Sequence, residues 1–478
     1  MKPVKFILMA GIACTCILYA GCKTPALVQA PEAKTPPANF SNAPDSVNNS
    51  GVIKWKTFFS DSHLVSLIDT ALKNSQELAI TLQEIDIARN EMRAKQGRLL
   101  PFIEGGVGAG IDKTGRYTSQ GAGDASTDIT PGKQVPDWLP DYRFGITASW
   151  EADIWKKLRT AKKAAFTRYL STIEGKNFVI TNLIAEIANS YYELLALDNQ
   201  LQIVRQTIQL QQNALNIVRL QKQAAAATEL AVKKFEGEVL GSQSLEYDVL
   251  QKIQEKENKL NYLLGRYPQH IDRDTTGILN ITPSQVAAGI PSQLLQNRPD
   301  IKQAALDLEA AKLDVKVAKS EFYPSFNIVA GLGFQAFNPS YLIKFPESLL
   351  FSLAGDLAGP LINKSAIKAE YYSANARQIQ AVYNYERTIL NAYIEVSTEL
   401  SNIKNQQQIF ELKAKQVDTL TATINISNAL FKAARADYLE VLLSQRDALE
   451  SKMELIETKL RQFNAVTNIY RSLGGGWN

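Results

Sequence analysis

The chain has 478 residues, with 52 basic and 48 acidic side chains and a formal net charge of +4. This length exceeds one ordinary hydrophobic core, so several domains or an elongated architecture are expected. Because the charge is nearly balanced, composition gives no reason to expect a nucleic-acid partner.

Cysteine and histidine are scarce. The three cysteines, Cys14, Cys16 and Cys22, lie in the first 22 residues, which excludes a disulfide framework, a thiolate metal site and a cysteine nucleophile further on. The chain has two histidines, His63 and His270, around which no catalytic triad can be assembled. We therefore predict no enzyme activity, no cofactor and no metal site.

The N-terminus has the layout of a secretory signal. Lys2 and Lys5 precede an apolar run over residues 6–20, which is too short to span a membrane as a mature helix. The following Ala20-Gly21-Cys22 resembles a bacterial lipobox, although Tyr19 departs from the preferred leucine. We predict a signal peptide over 1–21 and a lipid anchor at Cys22; the alternative is a plain signal peptide with an incidental cysteine.

Residues 22–55 are rich in Pro, Ala, Asn and Ser, a composition that cannot bury enough apolar surface to fold alone. This segment is predicted to be an extended tether. No later stretch approaches about 18 continuous apolar residues, so any membrane crossing is expected to use strands.

The rest of the chain reads as two copies of one unit. Over 71–110 and 294–333, Pro101 falls on Pro324 at an offset of 223. Further on, Leu264-Gly265 falls on Leu473-Gly474 at an offset of 209. We predict a first repeat over 56–265, an inter-repeat equatorial segment over 266–291 and a second repeat over 292–478; the alternative is chance similarity between alanine-rich helices.

Each repeat is predicted to contain a helix, a strand pair and a long helical hairpin. Residues 155–223 contain no proline and one glycine, with apolar residues recurring every three or four positions. At ~1.5 Å per residue a continuous helix there would extend about 100 Å. The helices predicted from the same pattern are 155–223, 229–264, 364–432 and 437–473, with hairpin tips near 224–228 and 433–437. Polar residues between the apolar positions indicate coiled-coil-like packing in water.

Alternating apolar and polar residues predict strands at about 102–111, 141–151, 325–336 and 348–358. Their lengths match a bilayer crossing by tilted strands. A soluble sandwich would also alternate. In a membrane, however, four strands cannot close a barrel, because the smallest barrels need about eight, and other subunits would have to complete it.

Four strings then carry a family resemblance: LLQNRPDI at 294–301, FYPSF at 322–326, ADYLEVLLSQR at 436–446 and YRSLGGGW at 470–477. They resemble the TolC-like outer-membrane efflux proteins, specifically the lipoprotein (NodT-type) branch that serves resistance-nodulation-division pumps. The resemblance implies a mainly α fold with membrane β-structure. It implies a trimer in which a twelve-stranded β-barrel, four strands per chain, continues into a twelve-helix periplasmic α-barrel.

The function implied by this resemblance is a passive exit duct in the outer membrane of a Gram-negative bacterium, passing small molecules such as drugs or metal ions. The implied partners are two further copies in a homotrimer, a periplasmic adaptor (membrane fusion protein), an inner-membrane transporter of the resistance-nodulation-division class and outer-membrane lipid. The alternatives are a type I protein-secretion exit and a periplasmic coiled-coil scaffold or adaptor.

The hairpin tips are the candidate functional sites. Adaptor docking is expected at Ala225, Ala226, Ala434 and Arg435, where the family often has glycine. A periplasmic gate is expected in the second repeat, which has the carboxylates Asp437 and Glu440 where the first repeat has Thr228 and Ala231. Its candidates are Arg435, Asp437, Leu439, Glu440 and Leu443. The alternative is that Asp437 caps the returning helix and that the leucines pack between helices.

The lipobox gives a first prediction. A Cys22→Ala chain should lose its lipid label and migrate as the uncut precursor, because the modified cysteine is required for cleavage. Metabolic labelling with a fatty acid and gel mobility measure both effects. Normal processing and labelling of the variant would reject the lipid anchor.

Overall fold

A computed structural model describes residues 24–32, 34–40, 48–274, 277–360, 362, 364–433 and 435–477. The predicted signal peptide, Cys22 and the docking candidate Ala434 lie outside the described residues. Within those ranges, no helix combines the length and the apolar character needed to cross a membrane.

The described chain is mostly helical with a few strands. Its helices are α1 Trp55–Phe58, α2 Ser62–Asn74, α3 Gln76–Gly97, α4 Ser119–Asp124, α5 Lys157–Gln223, α6 Glu229–Leu263, α7 Leu294–Asn297, α8 Pro299–Ser320, α9 Ser365–Lys432 and α10 Tyr438–Ser472. Its strands are β1 Phe102–Asp112, β2 Asp128–Thr130, β3 Lys133–Gln134, β4 Leu139–Ala152, β5 Ser325–Ala336 and β6 Leu349–Ala358. A helix, a strand pair and a helical hairpin thus follow one another twice along the chain.

The chain divides into two compact units. Among the described residues, the strand unit contains 24–31, Ile87–Tyr169 and Leu306–Val382, whereas the helix unit contains the remainder. In the strand unit, β1, β4, β5 and β6 form an antiparallel sheet in the order β1-β4-β5-β6. The short strands β2 and β3 form a separate two-stranded sheet.

Side-chain caps fix the starts of the long helices. The carboxylate of Asp153 accepts hydrogen bonds from the backbone N–H groups of Leu158 and Arg159, both at 2.9 Å, so α5 begins at Lys157. Such caps satisfy N–H groups that have no partner inside the helix. This local interaction explains why α5 starts two residues later than the periodicity predicts.

The largest core of the helix unit is built around α2 and α5. Leu64, Ile68, Ile187 and Leu194 are fully buried in it. Beside them, the Tyr191 hydroxyl donates a 2.7 Å hydrogen bond to Asp61, the N-cap residue of α2. Burial and this bond to a carboxylate raise the pKa of Tyr191, so the phenol stays protonated and ties α5 to the start of α2.

The two long hairpins end in matching backbone contacts. Gly265 follows α6 with a φ of +66°, and Gly474 follows α10 with a φ of +87°. A Cβ on Gly265 would lie 2.3 Å from the carbonyl oxygen of Asn74, and one on Gly474 would lie 2.6 Å from that of Asn297. Asn74 and Asn297 are themselves equivalent at the offset of 223. Only glycine satisfies both the left-handed backbone and the close approach.

Two residues of the LLQNRPDI string, Arg298 and Asp300, belong to a buried ion cluster. Arg298 is 4% exposed, and its guanidinium pairs with both oxygens of Asp300, at 3.0 and 2.6 Å. It also donates to Glu395 at 2.8 Å and to the carbonyl oxygen of Ser472 at 2.9 Å. This one side chain therefore joins the start of α8 to α9 and to the end of α10.

Part of the predicted tether packs on α9. In the strand unit, Leu27 packs beside Phe322 and Tyr371. In the helix unit, Phe40 is 4% exposed and its ring stacks on Tyr393 with centroids 5.3 Å apart. The composition of the segment does not reveal this, because single apolar residues are buried by a surface that the distant helix supplies.

The two glycine contacts lead to a prediction. Gly265→Ala and Gly474→Ala should each destabilise the fold by about 2 kcal/mol or more, since each forces a left-handed alanine against a carbonyl oxygen. Gly241→Ala is the matched control, because Gly241 is helical and no atom lies within 4 Å of the added Cβ. This control should raise stability by about 0.5–1 kcal/mol. Thermal midpoints from circular dichroism in mild detergent measure both; equal shifts would contradict the assignment.

Candidate duct wall and hairpin ends

The register of the sheet collects most of the large apolar side chains on one face. Residues paired across antiparallel strands share a face. Val107 pairs with Phe144, Phe144 pairs with Phe334, and Phe334 pairs with Leu349. Within the four strands, the same parity gives this face the following residues: Ile103, Ile111, Tyr142, Ile146, Trp150, Phe326, Ile328, Leu332, Phe351, Leu353 and Leu357. We call this surface the apolar face.

The opposite surface, here called the polar face, carries every charged residue of the four strands. These are Glu104, Asp112, Asp141, Arg143, Glu151 and Asp356. Five of the six are carboxylates. One face therefore suits hydrocarbon and the other suits water, which is the pattern of a membrane-spanning wall around an aqueous space.

One row of the polar face has glycine on three neighbouring strands. Gly106 pairs with Gly145, which pairs with Gly333. A Cβ on Gly145 would lie 2.7 Å from the Cα of Gly333, so the strands β4 and β5 approach too closely there for any larger residue. Glycines at such positions allow a sheet to curve.

The first hairpin tip closes without glycine. Ala225 has a φ of +54°. The N–H of Ala226 donates to the carbonyl oxygen of Gln221 at 2.8 Å, and the N–H of Ala225 donates to that of Lys222 at 3.0 Å. This is a Schellman helix end with alanine in the left-handed position. The docking candidates Ala225 and Ala226 thus lie side by side, exposed, at the tip.

The second tip has a matching helix end and a carboxylate cap. The N–H of Arg435 donates to the carbonyl oxygen of Leu430 at 2.9 Å, five residues back, as at the first tip. Asp437 is the N-cap of α10, and its carboxylate accepts from the N–H of Tyr438 at 2.7 Å. Thr228 is the equivalent cap of α6.

The remaining gate candidates are exposed on α10. Leu439 is 48% exposed and Leu443 is 38% exposed. Between them, Val441 and Leu442 are buried against the first hairpin, in a cluster that includes Phe235. Val441 and Leu442 therefore pack between the two hairpins, whereas Leu439 and Leu443 are exposed in a single chain.

The charged gate candidates are not paired with each other. Glu440 and Arg435 are exposed, and within the described residues neither makes an ion pair. Arg435 therefore does not neutralise Asp437 or Glu440 in a single chain. The described residues also contain no group of three or more His, Cys, Asp or Glu that could hold a metal ion.

Solved structures share this fold. A crystal structure of the CusC channel matches with a TM-score of 0.81 and 24% identity, covering 94% of this chain and 99% of that one. The open state of the MtrE outer membrane channel of Neisseria gonorrhoeae matches with a TM-score of 0.83 and 19% identity, covering 96% and 99%. The fold is therefore that of TolC-like outer-membrane channels.

Sequence comparison identifies the family. The model of the outer membrane efflux protein family matches residues 67–266 and 290–475. The cation efflux system protein CusC of Escherichia coli O6:H1 is 27% identical over 488 residues, covering 100% of both chains. The probable outer membrane lipoprotein SilC of Salmonella typhimurium is 26% identical over 475 residues, covering 97% of both. This chain belongs to the outer membrane efflux protein family, which places it in the outer membrane as an efflux duct; the family is not one of enzymes.

The two faces of the sheet give a prediction. Phe144→Arg or Leu332→Arg, near the middle of the apolar face, should each destabilise the membrane-inserted protein by about 2–4 kcal/mol. Thr147→Arg is the matched control on the polar face, where an arginine stays in water, and it should cost much less. The yield of assembled protein extracted from membranes measures the difference; equal yields would dismiss the assigned orientation.

The first tip gives another prediction. Ala225→Gly should stabilise the closed tip by about 1 kcal/mol, because it removes the left-handed strain of alanine. Hydrogen exchange should show about fivefold stronger protection of the 225 and 226 amides. Ala224→Gly is the control without a positive φ and should weaken protection; an unchanged exchange rate in Ala225→Gly would show that this backbone is not strained.

Proposed function

We propose that three copies of this chain form the outer-membrane exit duct of a tripartite efflux pump of the resistance-nodulation-division class. The twelve strands of three sheets would line the membrane pore, and the paired helical hairpins would form a twelve-helix periplasmic tube. The two repeats of each chain would supply equivalent walls. The duct conducts small molecules passively and performs no chemistry.

The sheet carries this proposal. Its charged residues all lie on one face, most of its large apolar residues lie on the other, and within the described chain β1 and β6 are each paired on one side only. An open edge leaves backbone N–H and C=O groups without partners, which lipid does not tolerate. Four strands are too few to close on themselves, so β1 of one copy would pair with β6 of the next.

The relatives indicate a broad range of cargo. They include proteins named for cation efflux, for pyoverdine export in Pseudomonas aeruginosa and for toluene efflux in Pseudomonas putida. Relatives of similar identity therefore serve unlike molecules. We infer that drugs or metal ions are candidate cargo and that the inner-membrane transporter selects among them.

The partners follow from the same arrangement. A periplasmic adaptor would dock on the hairpin tips, at Ala225, Ala226, Ala434 and Arg435, and would connect the duct to the transporter. Cys22, outside the described residues, would carry the lipid that anchors the chain in the outer membrane.

Two measurements test the duct. Purified full-length protein in mild detergent should have the mass of a trimer by light scattering, and the same sample should form single channels in planar bilayers. A monomer that never forms channels would instead favour the periplasmic scaffold. Restored drug or metal resistance, on co-expression with the neighbouring adaptor and pump genes in a strain lacking its own duct, would separate efflux from protein secretion.

We further propose that the second hairpin forms the periplasmic gate. Among the described residues, the first hairpin has five ion pairs between its helices: Glu186–Lys259, Glu193–Lys256, Arg205–Glu246, Arg219–Glu236 and Lys222–Glu229. The second has one, Lys413–Glu454. Each exposed pair is worth only about 0.2–1 kcal/mol, yet five pairs against one favour movement of the second hairpin.

At this gate, Leu439 and Leu443 would narrow the opening while Asp437 and Glu440 attract cations. Leu439→Ala/Leu443→Ala should increase single-trimer conductance, because a dewetting constriction is removed. Asp437→Asn/Glu440→Gln should weaken cation selectivity, and asparagine keeps the helix cap. Leu230→Ala/Lys234→Ala, at the equivalent positions of the first tip, is the control for the leucine variant. Unchanged currents and selectivity in both gate variants would place the constriction elsewhere.

A further inference from the structure

The strand unit contains a cavity of about 850 Å³ where the polar face of the sheet meets the ends of α3 and α8 and the start of α5. Phe102, Ser149 and Asn327 contribute its strand side. Its volume lies within the range of small-molecule sites, about 300–1,000 Å³. None of the described gate or docking candidates lines this cavity.

Its charges are unevenly paired. The Lys157 ammonium lies 2.6 Å from Glu151 and 3.8 Å from Glu321, and all three line the cavity. Lys95 and Arg98 line it too, and within the described residues neither makes an ion pair. The cavity therefore has three cations against two carboxylates, and two of the cations are available to a ligand.

The position of Lys95 at the end of α3 has a structural explanation, but this explanation does not extend to the rest of the cavity lining. Lys95 lies in the last turn of α3, where the helix dipole alone favours a positive charge. Arg98 follows the helix end, however, and the cavity also contains apolar side chains that water does not favour. Phe102 is 67% exposed and Leu100 is 66% exposed. Phe102 is the one aromatic residue among the strand positions of the polar face.

We propose that this cavity binds amphiphilic organic anions, with Lys95 and Arg98 holding the anionic group and with Phe102 and Leu100 covering the apolar body. This inference rests on the proposed function, in which the polar face lines the duct. A bound anion gains charge-assisted hydrogen bonds from the two cations. Further along the strands, the polar face carries the carboxylates of Glu104, Asp112 and Asp141 against the single cation Arg143, so the site retains anions at this end of the sheet.

Equilibrium binding tests the site without requiring an open gate. Full-length trimers in lipid nanodiscs are dialysed against 2-naphthalenesulfonate, with empty nanodiscs as the blank. The cation (2-naphthyl)methylammonium and the neutral 2-naphthalenemethanol have the same ring and report apolar binding alone. The sulfonate should bind at least about tenfold more tightly than either, since two charge-assisted bonds exceed the ~1.4 kcal/mol that this ratio needs.

Two double variants locate the binding. Lys95→Gln/Arg98→Gln should weaken sulfonate binding about tenfold or more and leave the neutral ring unaffected. Lys316→Gln/Lys319→Gln removes the same charge from exposed positions of α8 outside the cavity, and it should leave sulfonate binding unchanged. Phe102→Ala should weaken all three probes.

The outcomes separate the cavity from the duct. Equal binding of the three probes by the wild type would overturn the anion site, and this comparison does not depend on how well any variant assembles. Equal loss of sulfonate binding in Lys95→Gln/Arg98→Gln and in Lys316→Gln/Lys319→Gln would also overturn it. Trimers that form channels but show no preference for the sulfonate would reject the site and leave the duct intact. A chain that forms neither trimers nor channels would reject the duct itself.

Discussion

The pairing of β4 with β5 is the constraint on which the sheet depends. These strands come from different halves of the sequence, and their register joins two hairpin-like strand pairs into one surface. Because side chains alternate along a strand, a shift of one residue would move every charge of one pair onto the apolar side of the other. The close approach of Gly145 to Gly333 lies within this pairing. A side chain at either position would hold the strands apart.

That single register also determines what each face can do. With Phe144 opposite Phe334, their rings stack with centroids 5.3 Å apart on the apolar face. Arg143 pairs with Gln335 on the polar face, where Gln335 donates to Asp141 at 2.8 Å. Apolar contact on one side and hydrogen bonding on the other therefore favour the same alignment. This agreement is what a sheet between lipid and water requires.

The sequence predicts the family, which the comparisons confirm, and a mainly helical chain with a few strands, which the structure confirms. The bounds of the four long hairpin helices differ from the prediction by at most two residues, because periodicity marks the body of a helix and a cap such as Asp153 decides its first residue. The burial of Phe40 is missed, since its partners Ile389 and Tyr393 lie on a helix far along the chain. The cavity is missed for the same reason: Arg98, Glu151 and Glu321 meet only in three dimensions. Parity alone could have placed all the strand charges on one face.

The gate and docking residues stay predictions, because they concern contacts between copies. The structure of a single chain shows which side chains stay exposed after the chain has packed on itself. Val441 and Leu442 are used by the contact between the hairpins, whereas Leu439 and Leu443 on the same helix are not. Asp437 has a use inside the chain as a helix cap. Thr228 caps the equivalent helix of the first repeat without a charge, so capping alone does not require the carboxylate of Asp437. This difference motivates the hypothesis that the carboxylate also acts at the gate.

A buried lysine in the second hairpin, like the small number of its ion pairs, indicates that this hairpin is the less stable of the two. Lys459 is 6% exposed in α10, its Nζ lies 4.8 Å from the ring centroid of Phe410, and within the described residues it has no carboxylate partner. The first repeat has Leu250 at the equivalent position. Burial lowers the pKa of Lys459, which means that the charged form is less stable there than in water. Cation–π contacts with Phe410 and Phe463 offset only part of that cost, so the buried cation stabilises the second hairpin less than an apolar side chain would. Elements that move are drawn from the less stable parts of a structure, and the hairpin that contains the proposed gate is the one that accepts this cost.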